Sequence, residues 1–161
     1  MKMLPLTNKS DRFALVDADL HDILAVHAWH QTSLGYCARY DNKHNARRMV
    51  YMHRQLLITD DAPRGSLYVD HINGNKLDNR TSNLRLATKA QNMRNRGPTR
   101  VNTSGYKGVC YHAQSSKWRA YIKTDYKQLY LGLFENPRDA ALAYNEAALR
   151  LHGDFAYLNP I

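Results

Sequence analysis

Residues 105–161 carry the pattern that most restricts how this chain can fold, because three strand-like segments precede one long helical segment. The strand-like segments are 107–112, 117–123 and 128–134, with polar turns at 113–116 and 124–127. Pro137 favours the start of a helix and Gly153 its end. Between them, small and apolar side chains recur at helical spacing: Ala140, Ala141, Leu142, Tyr144, Ala147, Ala148 and Leu151. The pattern predicts a three-stranded antiparallel sheet packed on one helix, which is a complete small domain.

The preceding part of the chain has a different order of elements. Strand patterns at 67–72 and 83–87 flank a polar loop, and Thr88 can cap a helix from 89 to about 95. The elements predicted upstream are a hairpin of segments 36–40 and 48–51 with its turn at 41–46, a helix at 52–58 and a loop at 59–66. Residues 97–104 lack periodicity and are predicted to be a linker. We therefore predict an α+β chain with domains at 1–96 and 105–161.

Positive charge is concentrated in the middle of the chain. The formal net charge is +9, and residues 39–96 carry 12 basic against 5 acidic side chains. Such a concentration is typical of a surface that binds a polyanion. A basic surface without a partner is the alternative on charge alone.

Cysteine content and apolar runs exclude several classes of protein. Cys37 and Cys110 are the two cysteines, too few for a disulfide framework or a four-cysteine zinc site. The apolar runs are far shorter than the roughly 18 residues that a membrane span needs. No segment combines Lys and Arg with a continuous apolar helical face. We expect a cytosolic protein without a membrane partner.

The spacing of three polar residues predicts a metal-assisted reaction. Asp70 and His71 lie at the end of the predicted strand 67–72, and Asn92 lies on the helix that follows. A strand–loop–strand–helix unit brings a strand end and a helix face together, so Asp70 and Asn92 can offer oxygen atoms to one cation. Such ligands, completed by water and phosphate, suit Mg²⁺ or Mn²⁺. His71 titrates near neutral pH and can serve as a general base, so the set predicts phosphodiester hydrolysis.

These residues belong to a longer pattern, which reads Val69-Asp70-His71-Ile72-Asn73-Gly74-Asn75, then Leu77-Asp78-Asn79-Arg80, Ser82-Asn83-Leu84-Arg85 and Gln91-Asn92. The pattern resembles the HNH endonucleases, in particular the phage and intron-encoded homing variety. The resemblance implies a ββα-metal fold with one divalent cation. It makes His71 the general base, Asp70 and Asn92 the metal ligands, and Asn83 the residue that fixes the loop and orients His71. Asn92 stands where many members have a metal-binding His, which weakens the case for zinc.

Four further side chains near this motif are candidates for lesser roles. Arg54, Arg85 and Arg94 are predicted to contact phosphate groups, although each can also be a solvated surface residue. His53 lies beside Arg54 on the predicted helix 52–58. We interpret His53 as structural, with a phosphate contact as the alternative.

The predicted C-terminal sheet has one apolar and one polar face, because alternate side chains of a strand face opposite sides. The set expected to pack on the helix is Val109, Tyr111, Trp118, Ala120, Ile122, Leu129 and Leu131. The set expected to contact DNA is Lys107, His112, Arg119, Tyr121, Lys123, Gln128 and Tyr130. Cations, amides and aromatic rings together suit phosphate and base-edge contacts. A solvated face without a partner is the alternative.

A second resemblance covers residues 104–159. It is carried by Gly105-Tyr106-Lys107-Gly108-Val109, Trp118-Arg119-Ala120-Tyr121-Ile122, Tyr130-Leu131-Gly132-Leu133-Phe134 and the segment from Ala140 to Ala148. These segments resemble the Apetala/ethylene-response-factor DNA-binding domain, which implies a sheet that enters the major groove. Cys110, His112 and Gln128 stand where plant members tend to have Arg. We therefore expect a base preference different from theirs.

Together the two halves predict a metal-dependent, site-preferring endonuclease of double-stranded DNA. We expect a monomer without a small-molecule substrate, acting in the bacterial cytoplasm if it is phage-encoded, as the resemblance suggests. Two alternatives stay open: a non-catalytic DNA-binding regulator with a decayed HNH unit, and an RNA-processing nuclease. The complete set of Asp70, His71, Asn83 and Asn92 favours the enzyme over the regulator.

Overall fold

The computed structural model describes residues 1–41, 48–58 and 67–161. Apart from Asp41, the predicted turn at 41–46 lies outside the described residues, and the whole of the predicted loop 59–66 does so too. The chain divides into two compact units, Met1–Lys89 and Ala90–Ile161. Helices and antiparallel sheets occur together, which confirms the α+β class. No helix in the described parts of the chain is long and apolar enough to cross a membrane.

The first unit begins with a hairpin that the sequence indicated only in part. Strand β1 (Lys2–Leu6) pairs antiparallel with β2 (Lys9–Val16). The apolar residues 14–16 are a strand signal within β2, whereas residues 2–6 carry none. Pro5 interrupts the usual strand signal, and a two-stranded hairpin tolerates proline because each strand is an edge.

A three-stranded sheet and two short helices complete the core of the first unit. Its elements are α1 (His21–Ala25), β3 (His30–Gln31), β4 (Cys37–Asp41), β5 (Arg48–Tyr51) and α2 (Met52–Leu57). Strand β4 pairs antiparallel with both β3 and β5, which confirms the predicted hairpin. The buried core consists of Leu4, Leu6, Ala14, Val16, Leu24, Trp29, Cys37 and Met52.

The strand–loop–strand–helix order predicted around Asp70 is present. Strand β6 (Tyr68–His71) pairs antiparallel with β7 (Leu84–Ala87), and α3 (Lys89–Asn95) follows. The division between the units falls at the start of α3, so that most of this helix belongs to the second unit. The predicted domain boundary at residue 96 and the metal-holding role of these elements stay predictions.

The second unit has the predicted sheet packed on one helix. Strands β8 (Val109–His112), β9 (Lys117–Thr124) and β10 (Lys127–Phe134) form an antiparallel sheet in the order β10-β9-β8. Helix α4 (Pro137–His152) follows. The Asn136 side chain caps α4 by accepting a hydrogen bond from the Asp139 amide at 2.9 Å.

Small residues on α4 let the helix lie close to the sheet. The buried side chains between them are Val109, Ala120, Ile122, Ala140, Ala141, Tyr144, Ala147 and Ala148. Gly108 has a positive φ of 74°, and a Cβ atom there would collide with the Tyr144 ring and the Tyr121 carbonyl. Two members of the predicted apolar set are exposed, Tyr111 at 53% and Leu129 at 39%, and Trp118 and Leu131 are partly buried against the core. Tyr111 instead packs edge-on against Trp118 at the margin of the sheet.

Candidate active site and nucleic-acid interface

Strand β6 ends in two adjacent buried polar residues. Asp70 and His71 are each 5% exposed. The Asp70 Oδ2 atom accepts hydrogen bonds from Arg85 Nε at 2.9 Å and Nη2 at 2.7 Å. The antiparallel pairing places Arg85 directly opposite Asp70. The guanidinium therefore compensates the charge of a carboxylate that burial would otherwise disfavour.

The hydrogen bond of His71 to Asn79 sets the tautomer of the imidazole ring. His71 Nε2 lies 3.4 Å from Asn79 Oδ1. Asn79 Nδ2 donates to the Lys76 carbonyl, so Oδ1 is the acceptor and His71 carries its proton on Nε2. Burial lowers the pKa of His71, and the Asn79 hydrogen bond and the charge of Asp70 oppose this shift. At neutral pH the ring is therefore uncharged, with Nδ1 as its basic nitrogen.

Asn83 fixes the loop between β6 and β7. Its Nδ2 atom donates to Asn73 Oδ1 at 3.0 Å and to the Asp78 carbonyl at 2.8 Å. Its Oδ1 atom accepts from the Asn73 amide at 3.0 Å. The family resemblance implies that Asn83 fixes this loop and orients His71. The contact with His71 is made by Asn79, a motif residue to which the resemblance gives no role.

The same loop is held by a buried ion pair. Asp78 is 1% exposed and accepts hydrogen bonds from Arg80 Nε at 2.7 Å and Nη2 at 2.6 Å. The bonds from Arg80 hold the pKa of Asp78 below its usual value. Asn73 Nδ2 also donates to Asp78, at 2.9 Å. Like Asp70–Arg85, this is a buried carboxylate–guanidinium pair, but it stabilises the loop between β6 and β7.

Strand β2 supports the loop from its other side. The Asn79 amide donates to the Leu15 carbonyl at 2.8 Å. The Asp17 carboxylate accepts from the amide and the hydroxyl of Thr81, at 2.8 and 2.7 Å. The hairpin of β1 and β2 therefore contributes to the placement of Asn79, and through it of His71.

A group of aromatic rings surrounds the second buried histidine of the first unit. His53, on α2, is 7% exposed, and its ring centroid lies 5.1 Å from that of His71. The rings of Tyr36 and Tyr51 lie 5.1 and 5.7 Å from His53. Burial, with smaller effects from His71 and Arg54, lowers the pKa of His53 to about 3. His53 is therefore a neutral imidazole beside the predicted base.

Three further predicted residues, Arg54, Arg94 and Asn92, lie on the helices before and after the nuclease motif. Arg54 Nη1 donates to the Leu67 carbonyl at 3.4 Å. Arg94, on α3, donates to Asp125 at 3.3 Å, and both residues belong to the second unit. Asn92 is half-buried on α3. The phosphate contacts of Arg54, Arg85 and Arg94 stay predictions, as does the metal ligation by Asn92.

The predicted ligands suit a cation that keeps most of its water. Within the described ranges, no group of three or more His, Cys, Asp and Glu side chains could hold a metal ion. The predicted metal ligands are one carboxylate, that of Asp70, and one amide, that of Asn92. These hard oxygen donors fit Mg²⁺ or Mn²⁺, which retain several waters and bind substrate phosphate.

Lys107 lies at the C-terminal end of α3. Its Nζ atom donates to the carbonyls of Arg94 at 2.5 Å and Arg96 at 2.6 Å. Burial, together with the charge of Arg96, lowers the pKa of Lys107 to about 8. A cation at this end of a helix satisfies carbonyls that have no partner within the helix. The ammonium group of Lys107, predicted from the sequence to contact DNA, is therefore engaged by these carbonyls.

The remaining predicted DNA contacts share one face of the C-terminal sheet. The strand pairing sets Tyr130 opposite Tyr121 and Gln128 opposite Lys123. We call this set the polar sheet face: His112, Arg119, Tyr121, Lys123, Gln128 and Tyr130. Tyr130 is 63% exposed. Arg119 lies over the Tyr121 ring at 5.8 Å and donates to Cys110 Sγ at 3.4 Å. The face thus combines exposed cationic, amide and aromatic groups.

Comparison with known proteins identifies the family to which the segment around Asp70 and His71 belongs. Residues 62–94 match the HNH endonuclease family. An uncharacterized HNH endonuclease of Acanthamoeba polyphaga mimivirus is 34% identical over 150 residues, which cover 92% of this chain and 75% of that protein. This chain therefore belongs to the HNH endonuclease family. Protein 3.8 of Escherichia phage T7 is 35% identical over 94 residues, 58% of this chain and 76% of that protein.

The second half matches a different family. Residues 104–154 match the AP2 domain. APETALA2-like protein 2 of Oryza sativa subsp. indica is 39% identical over 64 residues, 40% of this chain and 14% of that protein. Both resemblances found in the sequence are thereby confirmed. No solved structure matches the chain.

Proposed function

We propose that this protein is a metal-dependent endonuclease that hydrolyses phosphodiester bonds of double-stranded DNA. The observation that carries the proposal is the buried pair Asp70–His71, in which Asn79 leaves Nδ1 of a neutral imidazole as the basic nitrogen. A buried, neutral histidine beside a carboxylate is suited to general-base chemistry at neutral pH. Membership of the HNH endonuclease family supports the same assignment.

In this proposal His71 Nδ1 accepts a proton from the attacking water. Asn79 then stabilises the resulting imidazolium through its hydrogen bond to Nε2, and the charge of Asp70 does so electrostatically. Asp70 and Asn92 would hold one Mg²⁺ or Mn²⁺ ion. When bound, that ion neutralises charge on the phosphate and the leaving oxygen. The family resemblance implies products with a 3′-hydroxyl and a 5′-phosphate.

The polar sheet face supplies DNA affinity and site preference in this proposal. Its Arg and Lys side chains suit phosphate, and its amide and tyrosine side chains suit base edges and sugars. The similarity to APETALA2-like protein 2 supports a DNA-binding role. The similarity to Protein 3.8 of Escherichia phage T7 supports a phage-encoded protein that acts in the bacterial cytoplasm. We propose that it acts as a monomer.

Cleavage of phage and bacterial genomic DNA by the purified chain tests the proposal. We expect cleavage with Mg²⁺ or Mn²⁺ and none in EDTA. His71→Ala should slow cleavage by about 10²–10⁴-fold, the range for a general base, while DNA binding is retained. Asp70→Ala should abolish cleavage, because the charged ligand is lost.

The same assay separates the alternatives. DNA binding without cleavage by the wild-type protein at any metal concentration would favour the non-catalytic regulator. Cleavage of RNA in preference to DNA would favour the RNA-processing nuclease.

A further inference from the structure

The turn between β9 and β10 has a backbone conformation that one of its residues disfavours. Lys127 pairs with Thr124, so the turn has two central residues, Asp125 and Tyr126. Both have a positive φ, of 48° and 62°. A two-residue hairpin turn of this kind prefers Asn or Asp first and glycine second, because a Cβ atom is unfavourable in the left-handed region. Asp125 fits that preference, whereas Tyr126 contradicts it.

The side chain of Tyr126 makes no packing contribution that would compensate for this strain. Its relative exposure is 110%, so the ring lies wholly in solvent. A large aromatic ring in water gains none of the free energy that burial would give it. Glycine would adopt the same backbone conformation without strain. An aromatic side chain at a strained, fully exposed position therefore points to contact with a ligand.

Two contacts fix the end of this hairpin to the helices of the second unit. Asp125 Oδ1, next to Tyr126, accepts a hydrogen bond from Arg94 Nη2 at 3.3 Å. His152 Nε2, at the end of α4, donates to the Lys123 carbonyl at 3.2 Å. The chain immediately before Tyr126 is thus held at two positions. A ring carried by a restrained turn loses less conformational entropy on binding than a ring on a mobile loop.

The turn lies at one end of the polar sheet face. The last pair of that face before the turn is Lys123 opposite Gln128, and both residues are exposed. The turn extends about two residues beyond this pair, which is roughly 7 Å at the rise of a β-strand. A duplex that contacts Lys123 through a phosphate therefore comes within reach of the Tyr126 ring.

The charges around the turn identify the class of ligand. Lys123 and Lys127 flank the turn, and both are exposed. The carboxylate of Asp125, the acidic residue of the turn, is paired with Arg94. The turn therefore presents net positive charge beside an aromatic ring. This combination favours a nucleic acid over an apolar protein surface.

We propose that Tyr126 is a DNA-contacting residue whose ring packs against a deoxyribose of the duplex bound by the polar sheet face. This inference rests on the DNA-binding part of the proposed function. The ring contact is apolar, so it adds affinity without releasing counterions from the phosphates. In this respect it differs from Lys123, whose ammonium group is expected to neutralise a phosphate. The turn thus supplies an uncharged contact at the edge of a charged interface.

Substitutions of Tyr126 should have opposite effects on stability and on DNA binding. Tyr126→Gly should raise the unfolding temperature by about 2–4 °C, since glycine adopts the left-handed region without strain. The same variant should weaken binding of a mixed-sequence duplex by about 5- to 10-fold, the lower end of the range for aromatic contacts with nucleotides. The slope of log affinity against log salt should stay unchanged. Tyr126→Asn should also weaken binding, and Tyr126→Phe should keep most of the affinity because it keeps the ring.

Ser116 provides the matched control, because it is another exposed non-glycine residue with a positive φ, of 53°, at the other end of β9. Ser116→Gly should raise the unfolding temperature and leave DNA affinity unchanged. An equal loss of affinity in Ser116→Gly and Tyr126→Gly, or no loss in Tyr126→Gly, would overturn the proposal. A loss accompanied by a shallower salt slope would do so too, because it would mean that phosphate contacts were lost. An unfolding temperature of Tyr126→Gly below that of the wild type would show that the ring supports the fold instead.

DNA binding rather than cleavage decides this inference, so its failure is separable from that of the nuclease function. A wild-type protein that binds the duplex but cleaves no DNA with Mg²⁺ or Mn²⁺ would overturn the proposed nuclease, and the Tyr126 variants would still decide the ring contact. A wild-type protein that binds no duplex would overturn both.

Discussion

Asp70, the proposed charged metal ligand, is a buried carboxylate that the fold stabilises with a counter-charge. Its carboxylate is buried against Arg85, whose side chain is 16% exposed. Removing one partner of such a pair leaves an uncompensated buried charge, whereas a cation bound in its place restores compensation. The free energy of unfolding should therefore depend jointly on the Arg85 contact and on the cation proposed to bind Asp70.

Arg85→Ala should lower the free energy of unfolding by about 3–5 kcal/mol in EDTA, because Asp70 loses its counter-charge. Magnesium at about 100 times its Kd would restore about 2.7 kcal/mol if it binds the folded protein alone. Urea unfolding with and without Mg²⁺ measures both effects. The double variant Arg85→Ala/Asp70→Asn is the control, since it lacks the predicted charged ligand as well as its counter-charge. Recovery by Mg²⁺ in the double variant equal to that in Arg85→Ala would contradict the assignment of Asp70.

His53 also predicts a dependence of stability on pH. The pKa of His53 in the folded protein, about 3, lies below the ordinary histidine value of 6.5. Between these values the unfolded chain binds a proton that the folded protein does not, so stability falls as pH decreases below 6.5. The slope from this one group is at most about 1.4 kcal/mol per pH unit. His53→Phe should flatten the curve of unfolding free energy between pH 6.5 and 4.5. Parallel curves for the two proteins would show that His53 does not contribute.

At the scale of elements, α3 shows that neighbouring elements in a sequence motif can belong to different compact units. The sequence assigns this helix to the nuclease motif with β6 and β7. In the structure its last turn is held by second-unit residues, since Lys107 binds the carbonyls of Arg94 and Arg96, and Arg94 pairs with Asp125. The helix that carries Asn92 therefore depends on residues outside the motif.

Lys107→Met should fray the C-terminal end of α3, because the cation that caps its carbonyls is lost. A cation at a partly buried helix end contributes up to about 2 kcal/mol. Amide hydrogen exchange over residues 89–95 measures the effect, and Lys107→Arg should recover part of the protection. Lys127→Met, at an exposed position of β10, is the control. Unchanged exchange in Lys107→Met would mean that the cap is dispensable.

Local patterns were sufficient to predict most elements but few side-chain partners. The spacing of small residues predicted α4, and alternation predicted β8 to β10, because both signals come from neighbouring residues. The motif residues Asp70, His71 and Asn83 were found by type and spacing. The contacts of Asn79 with His71 and of Lys107 with α3 join distant residues, or atoms whose orientation depends on the folded loop. No local periodicity encodes such contacts.

At the scale of the whole molecule, the protein joins a nuclease motif to a sheet of AP2 type. Cutting the chain after Gly97 would not separate their contributions cleanly, since it would also remove Lys107 and Asp125 from α3. Substitutions on the polar sheet face avoid this problem. Lys123 is exposed on that face, opposite Gln128, whereas the pairing of Lys127 with Thr124 sets Lys127 on the other side of the sheet.

Lys123→Gln should weaken DNA binding and reduce the slope of log affinity against log salt by about 0.9, the value for one phosphate contact. Lys127→Gln removes the same charge from the opposite side and should change the slope less. Titration of both variants with one duplex at several salt concentrations measures the difference. Equal slopes for both lysine variants would show that the polar sheet face does not contact phosphate.

Gln128→Ala should change site preference by about 1–3 kcal/mol if its amide reads a base edge.

The two cysteines lie in different environments, so the wild-type protein can be labelled selectively with a probe for DNA binding. Cys37 is completely buried, and burial raises the pKa of its thiol to about 12. Cys110 is half-buried beside Arg119, at the margin of the polar sheet face. Because thiolate character and access govern alkylation, a maleimide dye should label Cys110 and spare Cys37. A fluorophore attached there would report DNA arriving at the sheet without any change to the sequence.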